Sequence, residues 1–159
     1  SYQTAVLAHA LALIRRDVLK LPTPDPDRCA VAALYHDASE ILTGDLPTPI
    51  KYYNPEIKTA YKQVERVAGE RLLNMLPPEL RASYEHDVLE DDEALAPIVK
   101  GADKLSAHIK CLEERKAGNT EFDTAARQTW EAIQAMDRPE LNWFVEHCLG
   151  AFALNLDQL

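Results

Sequence analysis

Ten prolines punctuate the 159 residues of this chain, and their placement limits the fold more than any other feature. Proline fixes φ and lacks an N–H, so it fits the first turn of a helix and breaks whatever precedes it. Between the prolines, apolar residues recur at spacings of three and four. Val6, Leu7, Ala10, Leu13 and Ile14 predict an amphipathic helix ending near Lys20, where LPTPDP breaks it. Asp25-Pro26 is a helix start, the carboxylate capping free N–H groups. That second helix is expected to run to about Leu42, with Val31, Leu34, Ala38 and Ile41 as its apolar stripe, and to stop at Gly44. DLPTP follows as a rigid loop. Asn54-Pro55 opens a third helix, with Ile57, Tyr61, Val64, Val67, Ala68 and Leu72 at helical spacing as far as Met75. Pro77-Pro78 separates it from a shorter charged helix, about Glu79 to Leu89. A fifth starts after EDDE, tolerates Pro97 in its early turns and ends at Gly118-Asn119. Two more are expected near Phe122 to Met136 and near Pro139 to Leu154. No segment alternates with period two for long enough to predict a strand. The fold class is therefore all-α, residues 1–159 forming a single globular bundle of about seven helices with no internal repeat.

Apolar residues make up 47% of the chain and aromatics 7%, which predicts a mostly aliphatic core. The net charge of −9 repels a polyphosphate backbone, and no dense lysine-arginine cluster offsets it, so a nucleic-acid polymer is not an expected partner. A small phosphorylated ligand is compatible, because a metal ion or a few local cations neutralise one phosphate. Cys29, Cys111 and Cys148 are odd in number, far apart and without CxxC spacing, as expected of buried thiols in a reduced, cytoplasmic protein. No apolar run approaches the ~20 residues of a membrane span.

The stretch LYHDASEILTGDLPTP, residues 34–49, places three ionisable groups in a helix otherwise patterned for the core. His36 and Glu40 are four apart, and Asp37 and Glu40 three apart, so the three share one face. Buried carboxylates need a positive partner. No arginine or lysine lies between Cys29 and Thr48, and a divalent cation bound by imidazole nitrogen and carboxylate oxygen is the economical answer. One helical turn cannot surround a cation, and the best distant candidate is Asp103, on a helix whose Ile98, Ala102, Leu105, Ile109 and Leu112 form an apolar side. Small residues around it, Gly101, Ala102, Ser106 and Ala107, would let another helix approach.

HDASE, then LTGDLPTPIKYY, then IVKGADKLSAHIKCLEE resemble the HD-domain phosphohydrolases, and specifically the bacterial 5'-deoxynucleotidases. The resemblance covers most of the chain, from AVLAHALALI onward. It implies one divalent metal ion held by His36, Asp37 and Asp103, with a catalytic Glu40. It also implies a substrate loop of Asp45, Leu46, Pro47 and Thr48, with Asp37 and Asp103 contacting substrate as well. The mixed donor set suits Co, Mn, Fe, Ni or Zn. The implied partner is a deoxyribonucleoside 5'-monophosphate, and the implied assembly is a homodimer. The family reads EHS where this sequence starts at Ser1, so its first-helix histidine ligand and an upstream Arg-Trp pair would fall before Ser1.

Other candidates read as structural. His86-Asp87 repeats the HD doublet, but its acidic neighbours predict a solvated helix. His9 reads as a core residue, and His108 and His147 have no supporting context. Lys100 reads as a surface lysine, a phosphate contact being the alternative. Asp45 after Gly44 also fits a plain turn. Trp130 and Trp143 fit the core or a subunit interface. Two other functions fit the same residues: an HD hydrolase for a different phosphorylated metabolite, and an inert helical binding module that keeps the scaffold.

Overall fold

The computed structural model describes residues 1–47, 50, 53–89 and 92–158, and those residues carry helices and no strand. Seven helices are nine residues or longer: α1 (Tyr2–Leu13), α2 (Pro26–Tyr35), α4 (Pro55–Met75), α5 (Pro78–Val88), α6 (Ala96–Lys116), α7 (Asp123–Met136) and α8 (Pro139–His147). A one-turn helix, α3 (Glu40–Thr43), lies between α2 and α4.

The proline starts hold. Asp25 accepts a hydrogen bond from the Arg28 N–H at 2.9 Å, and Asn54 from the Ile57 N–H at 2.8 Å, each with proline as the next residue. Pro78 and Pro139 likewise open α5 and α8, and Pro97 is the second residue of α6. Gly118, at φ 83°, adopts the left-handed backbone that closes α6. The last expected helix is shorter than its pattern: α8 ends at His147, and Leu149–Ala153 winds as a 3₁₀ turn.

Helix α6 is the axis of the molecule, packing against α1, α2, α7 and the 3₁₀ turn. Its Ile98, Ala102, Leu105 and Ile109 are buried against Leu7, Leu11, Ile133, Leu141 and Phe144 in one contiguous core. The buried face of α1 is rotated from the expected one. Ala8 and Ala12 join Leu7 and Leu11 inside, whereas Val6 is exposed, because alanines allow α1 to sit close to both α2 and α6. Gly101 is not essential to this packing, since a Cβ there would meet Leu11 at an ordinary 3.6 Å.

After α1 the backbone widens into a π-helical turn, Ile14–Val18, with the Leu19 N–H bonded to the Ile14 carbonyl at 2.9 Å. Arg15, on this turn, donates to the carboxylate of Glu140 at 2.9 Å, and Arg138 donates to its other oxygen at 2.7 Å. Glu140 is 1% exposed, and the two guanidiniums supply the charge that a buried carboxylate requires. Helices α4 and α5 form a hairpin beside the main body. A Cβ on Gly69 would lie 2.9 Å from Leu89 Cδ2 and 3.3 Å from the Val88 carbonyl, so glycine permits this close approach. Only Ala68, Gly69 and Leu73 of α4 are buried; Val64 and Val67, expected on its inner stripe, face outward.

Candidate active site

The expected long second helix is interrupted at the histidine and two acids that make it unusual. α2 ends at Tyr35, and tighter i→i+3 bonds take over: Ala38 N–H to Tyr35 O at 2.8 Å, Glu40 N–H to Asp37 O at 3.0 Å and Ile41 N–H to Ala38 O at 3.2 Å. Three residues per turn brings Asp37 and Glu40 onto one line, where a continuous α-helix would stagger them. The expected apolar stripe also fails here, since Leu34 and Ile41 are exposed, Ile41 at 77%, with Ile41 beyond the change of pitch. The ionisable groups thus sit at the rim of the core. Gly44 ends the segment at φ 70°, ψ 163°, a conformation nearly restricted to glycine. Its carbonyl accepts from the Thr43 hydroxyl at 2.9 Å and the Tyr61 hydroxyl at 3.3 Å, tying the turn to α4.

The packing of α2 on α6 brings His36 to Asp103 across 67 positions of sequence. His36 Nε2 lies 3.0 Å from Asp37 Oδ2 and 3.5 Å from Asp103 Oδ1. Nδ1 donates to the Ala33 carbonyl at 2.7 Å, which directs Nε2 toward the carboxylates. Nε2 is buried, yet its angles to those oxygens satisfy no hydrogen bond. Burial alone would lower the pKa of this imidazole, but the carboxylates of Asp103 and Asp37 outweigh it and raise the value to about 10. Asp103 responds in the opposite direction: burial would raise its pKa, and His36 with Lys104 holds it below the usual carboxylate range.

An unsatisfied buried imidazole nitrogen facing two carboxylates is the donor chemistry of a transition-metal site. Two donors bound at about 2.1 Å to one ion lie roughly 3.0 Å apart at a right angle and roughly 3.4 Å apart at the tetrahedral angle. The spacings of 3.0 and 3.5 Å match both. The hydrogen bond from Nδ1 to the Ala33 carbonyl leaves the Nε2 lone pair as the one a metal-bound histidine would use. Among the described residues no group of three or more His, Cys, Asp or Glu side chains is arranged to hold a metal ion; His36, Asp37 and Asp103 meet only as the two pairs made by the His36 ring.

Beside this group is a cavity of about 110 Å³, walled by α2, α5 and α6. Ala96, Val99, Lys100 and Asp103 line it from one face of α6, and Ala32 and His36 from α2. The volume is below the ~300 Å³ of a full small-ligand pocket, so it suits the reacting end of a larger substrate. Among the described residues, Asp37, Glu40, Asp45, Leu46 and Pro47 do not contribute to its wall. Asp45 and Pro47 are exposed, and Leu46 is partly buried. Thr48 lies outside the described residues.

Two sequence readings need correction here. His86 is exposed, as a solvated helix predicts, but Asp87 is not: it is 6% exposed and accepts from Arg28 at 2.8 Å, and both residues line the cavity. That ion pair, with the edge-on contact of Tyr35 and Tyr84 at 5.8 Å, docks α5 onto α2. Nothing in the local run SYEHDVLEDDE signals it, because the partner is 59 residues away. His9 is not a core residue either; it is half-exposed, 3.3 Å from Asp27. By contrast, His108 is buried against Trp130, its Nδ1 2.9 Å from the Thr129 hydroxyl, and Trp143 stacks on His147 away from the cavity.

Comparison with known proteins gives a full-length match. The family model described as 5'-deoxynucleotidase YfbR-like matches residues 1–152. A protein of Erwinia tasmaniensis named 5'-deoxynucleotidase is 46% identical, aligned over the whole of this chain and 81% of its own length. Proteins of the same name from Shewanella oneidensis and Vibrio parahaemolyticus are 43% and 44% identical, each covered over 82% of its length.

Proposed function

The chain belongs to the YfbR-like family of 5'-deoxynucleotidases, and on that premise we propose that it hydrolyses deoxyribonucleoside 5'-monophosphates to deoxynucleoside and inorganic phosphate. The observation that carries this reading is the match of the family over residues 1–152, together with named relatives of 43–46% identity over the whole chain. In this reading residues 1–159 are one HD domain.

His36, Asp37 and Asp103 would hold one divalent cation, with Co, Mn, Fe, Ni and Zn all suited to the donors. When bound, such an ion neutralises phosphoryl oxygens and acidifies water. The orphaned Nε2 of His36 supports this assignment. The bond from Nδ1 to Ala33 keeps the ring from turning away. Asp37 and Asp103 would contact the substrate as well as help hold the cation. Glu40, one tight turn after Asp37, handles the protons. It takes one from the attacking water as the new P–O bond forms and returns it to the 5'-oxygen as the old P–O bond breaks. Asp45, Leu46, Pro47 and Thr48 grip the sugar, their loop aimed by the Gly44 turn and its Tyr61 clamp.

We further assign a homodimer and a cytoplasmic location. Support for the first is the exposed apolar surface of α3 and α4, with Ile41, Val64 and Val67 at 77, 50 and 63%. For the second, the three cysteines are free, and burial pushes the Cys29 thiol up to about 11, as in an inert thiol of a reducing compartment. No described helix is long and apolar enough to cross a membrane.

Glu40→Ala tests the chemistry. The expected result is turnover reduced by about 10²-fold or more with metal still bound, measured by phosphate release and elemental analysis of the same sample. Retention of most activity would remove Glu40 from the proton-handling role.

A further inference from the structure

We infer that Lys100 is a phosphate-binding residue, its ammonium taking a non-bridging oxygen of the substrate's phosphoryl group; the inference rests on the deoxynucleotidase reading above. The argument is one of local charge. The described wall of the cavity includes the carboxylates of Asp87, Asp92 and Asp103, and Asp37 is 3.0 Å from the His36 ring that also lines it. A phosphomonoester carries up to two negative charges at neutral pH, and an acid-lined cavity repels it unless cations face it too. The neighbouring cations are already committed. Arg28 donates to Asp87 at 2.8 Å, and Lys104 lies 3.4 Å from Asp103. Lys100 lines the cavity and makes no ion pair among the described residues.

Its position suits the task. Lys100 precedes Asp103 by three residues on α6, so the two share a face one turn apart, with Val99 and Ala96 completing that face. The ammonium and the carboxylate that faces His36 therefore serve the same cavity from one rigid helix. A side chain that is exposed at its tip pays little desolvation while the cavity is open, and it gains a charge-assisted hydrogen bond when a phosphate enters. Lysine acts as a point charge, which fits a phosphoryl group whose oxygens shift during displacement.

Lys100→Met and Lys100→Arg test this in the complete, metal-loaded protein. Four quantities are read: KM and kcat for a deoxyribonucleoside 5'-monophosphate, the inhibition constant of inorganic phosphate, and that of the deoxynucleoside product. For Lys100→Met the expected result is a rise of about tenfold or more in KM and in the phosphate inhibition constant, with deoxynucleoside inhibition, metal content and melting temperature unchanged. Lys100→Arg should recover most of the phosphate affinity. Unaltered phosphate inhibition in Lys100→Met would overturn the inference while wild-type turnover leaves the enzyme reading standing. Parallel loss of phosphate and deoxynucleoside affinity would overturn it too, since that pattern marks a general disturbance of the pocket. A wild-type protein that releases no phosphate from any deoxynucleotide fails the enzyme reading itself, and the role of Lys100 falls with it.

Discussion

His36 is where the local and distant parts of the sequence meet. Its Nδ1 is pinned by a carbonyl three residues back, and its Nε2 is held beside carboxylates one residue and 67 residues away without a hydrogen bond of its own. His36→Gln and Asp103→Asn should therefore each lower metal stoichiometry, because each removes a donor the remaining pair cannot replace. Elemental analysis after dialysis is the check, and full metal retention in both would move the site elsewhere. Glu140 shows the structural use of a buried charge. Burial would raise its pKa, but Arg138 and Arg15 outweigh that and hold the carboxyl below its ordinary range. A depressed carboxylate stabilises the fold above its unfolded pKa and loses that contribution as pH falls through the folded value. Glu140→Gln should cost roughly 3 kcal/mol at pH 7. The gap in melting temperature between wild type and variant should narrow below about pH 4, as the wild-type carboxylate protonates.

Helix starts were legible from the sequence because capping is local: Asp25-Pro26 and Asn54-Pro55 satisfy their own helices within three residues. The apolar side of α6 was legible as well, since a central helix displays its period plainly. What misled was the run from Val31 to Leu42. Its apolar spacing fits a straight helix, but the helix stops at Tyr35, i→i+3 turns follow around Asp37 and Glu40, and Leu34 and Ile41 are both exposed. The doublet His36-Asp37 and the isolated Asp103 stood out in the sequence as candidates for one site, and the structure brings them together. The role of His86-Asp87 as a cavity wall was not readable, because Arg28, which neutralises Asp87, lies in another element. The hairpin of α4 and α5 depends on glycine where the helices nearly touch. Gly69→Ala should destabilise by about 1–3 kcal/mol, with Leu89 forced to move and the Val88 carbonyl unable to. Chemical denaturation measures this, and a neutral result would show that the hairpin is loose at that point.

Across the whole molecule, the main body centred on α6 buries its apolar surface well, while the outer face of α3 and α4 leaves Ile41, Val64 and Val67 in solvent. The homodimer proposed above would cover that face. Val64→Lys combined with Val67→Glu should shift sedimentation from dimer to monomer without lowering the melting temperature of the protomer; an unchanged dimer would place the interface on another surface. The same architecture brings His36, Asp37 and Asp103 together beside a cavity at the junction of α2, α5 and α6, where the reaction proposed above would take place. The most direct test is phosphate release by the complete gene product from matched 5'- and 3'-deoxynucleotides, before and after removal of metal by a chelator. The account predicts release from the 5'-monophosphates alone, lost on chelation and restored by one or more of Co, Mn, Fe, Ni and Zn. Release that survives chelation, or no release with any of these metals, would contradict it.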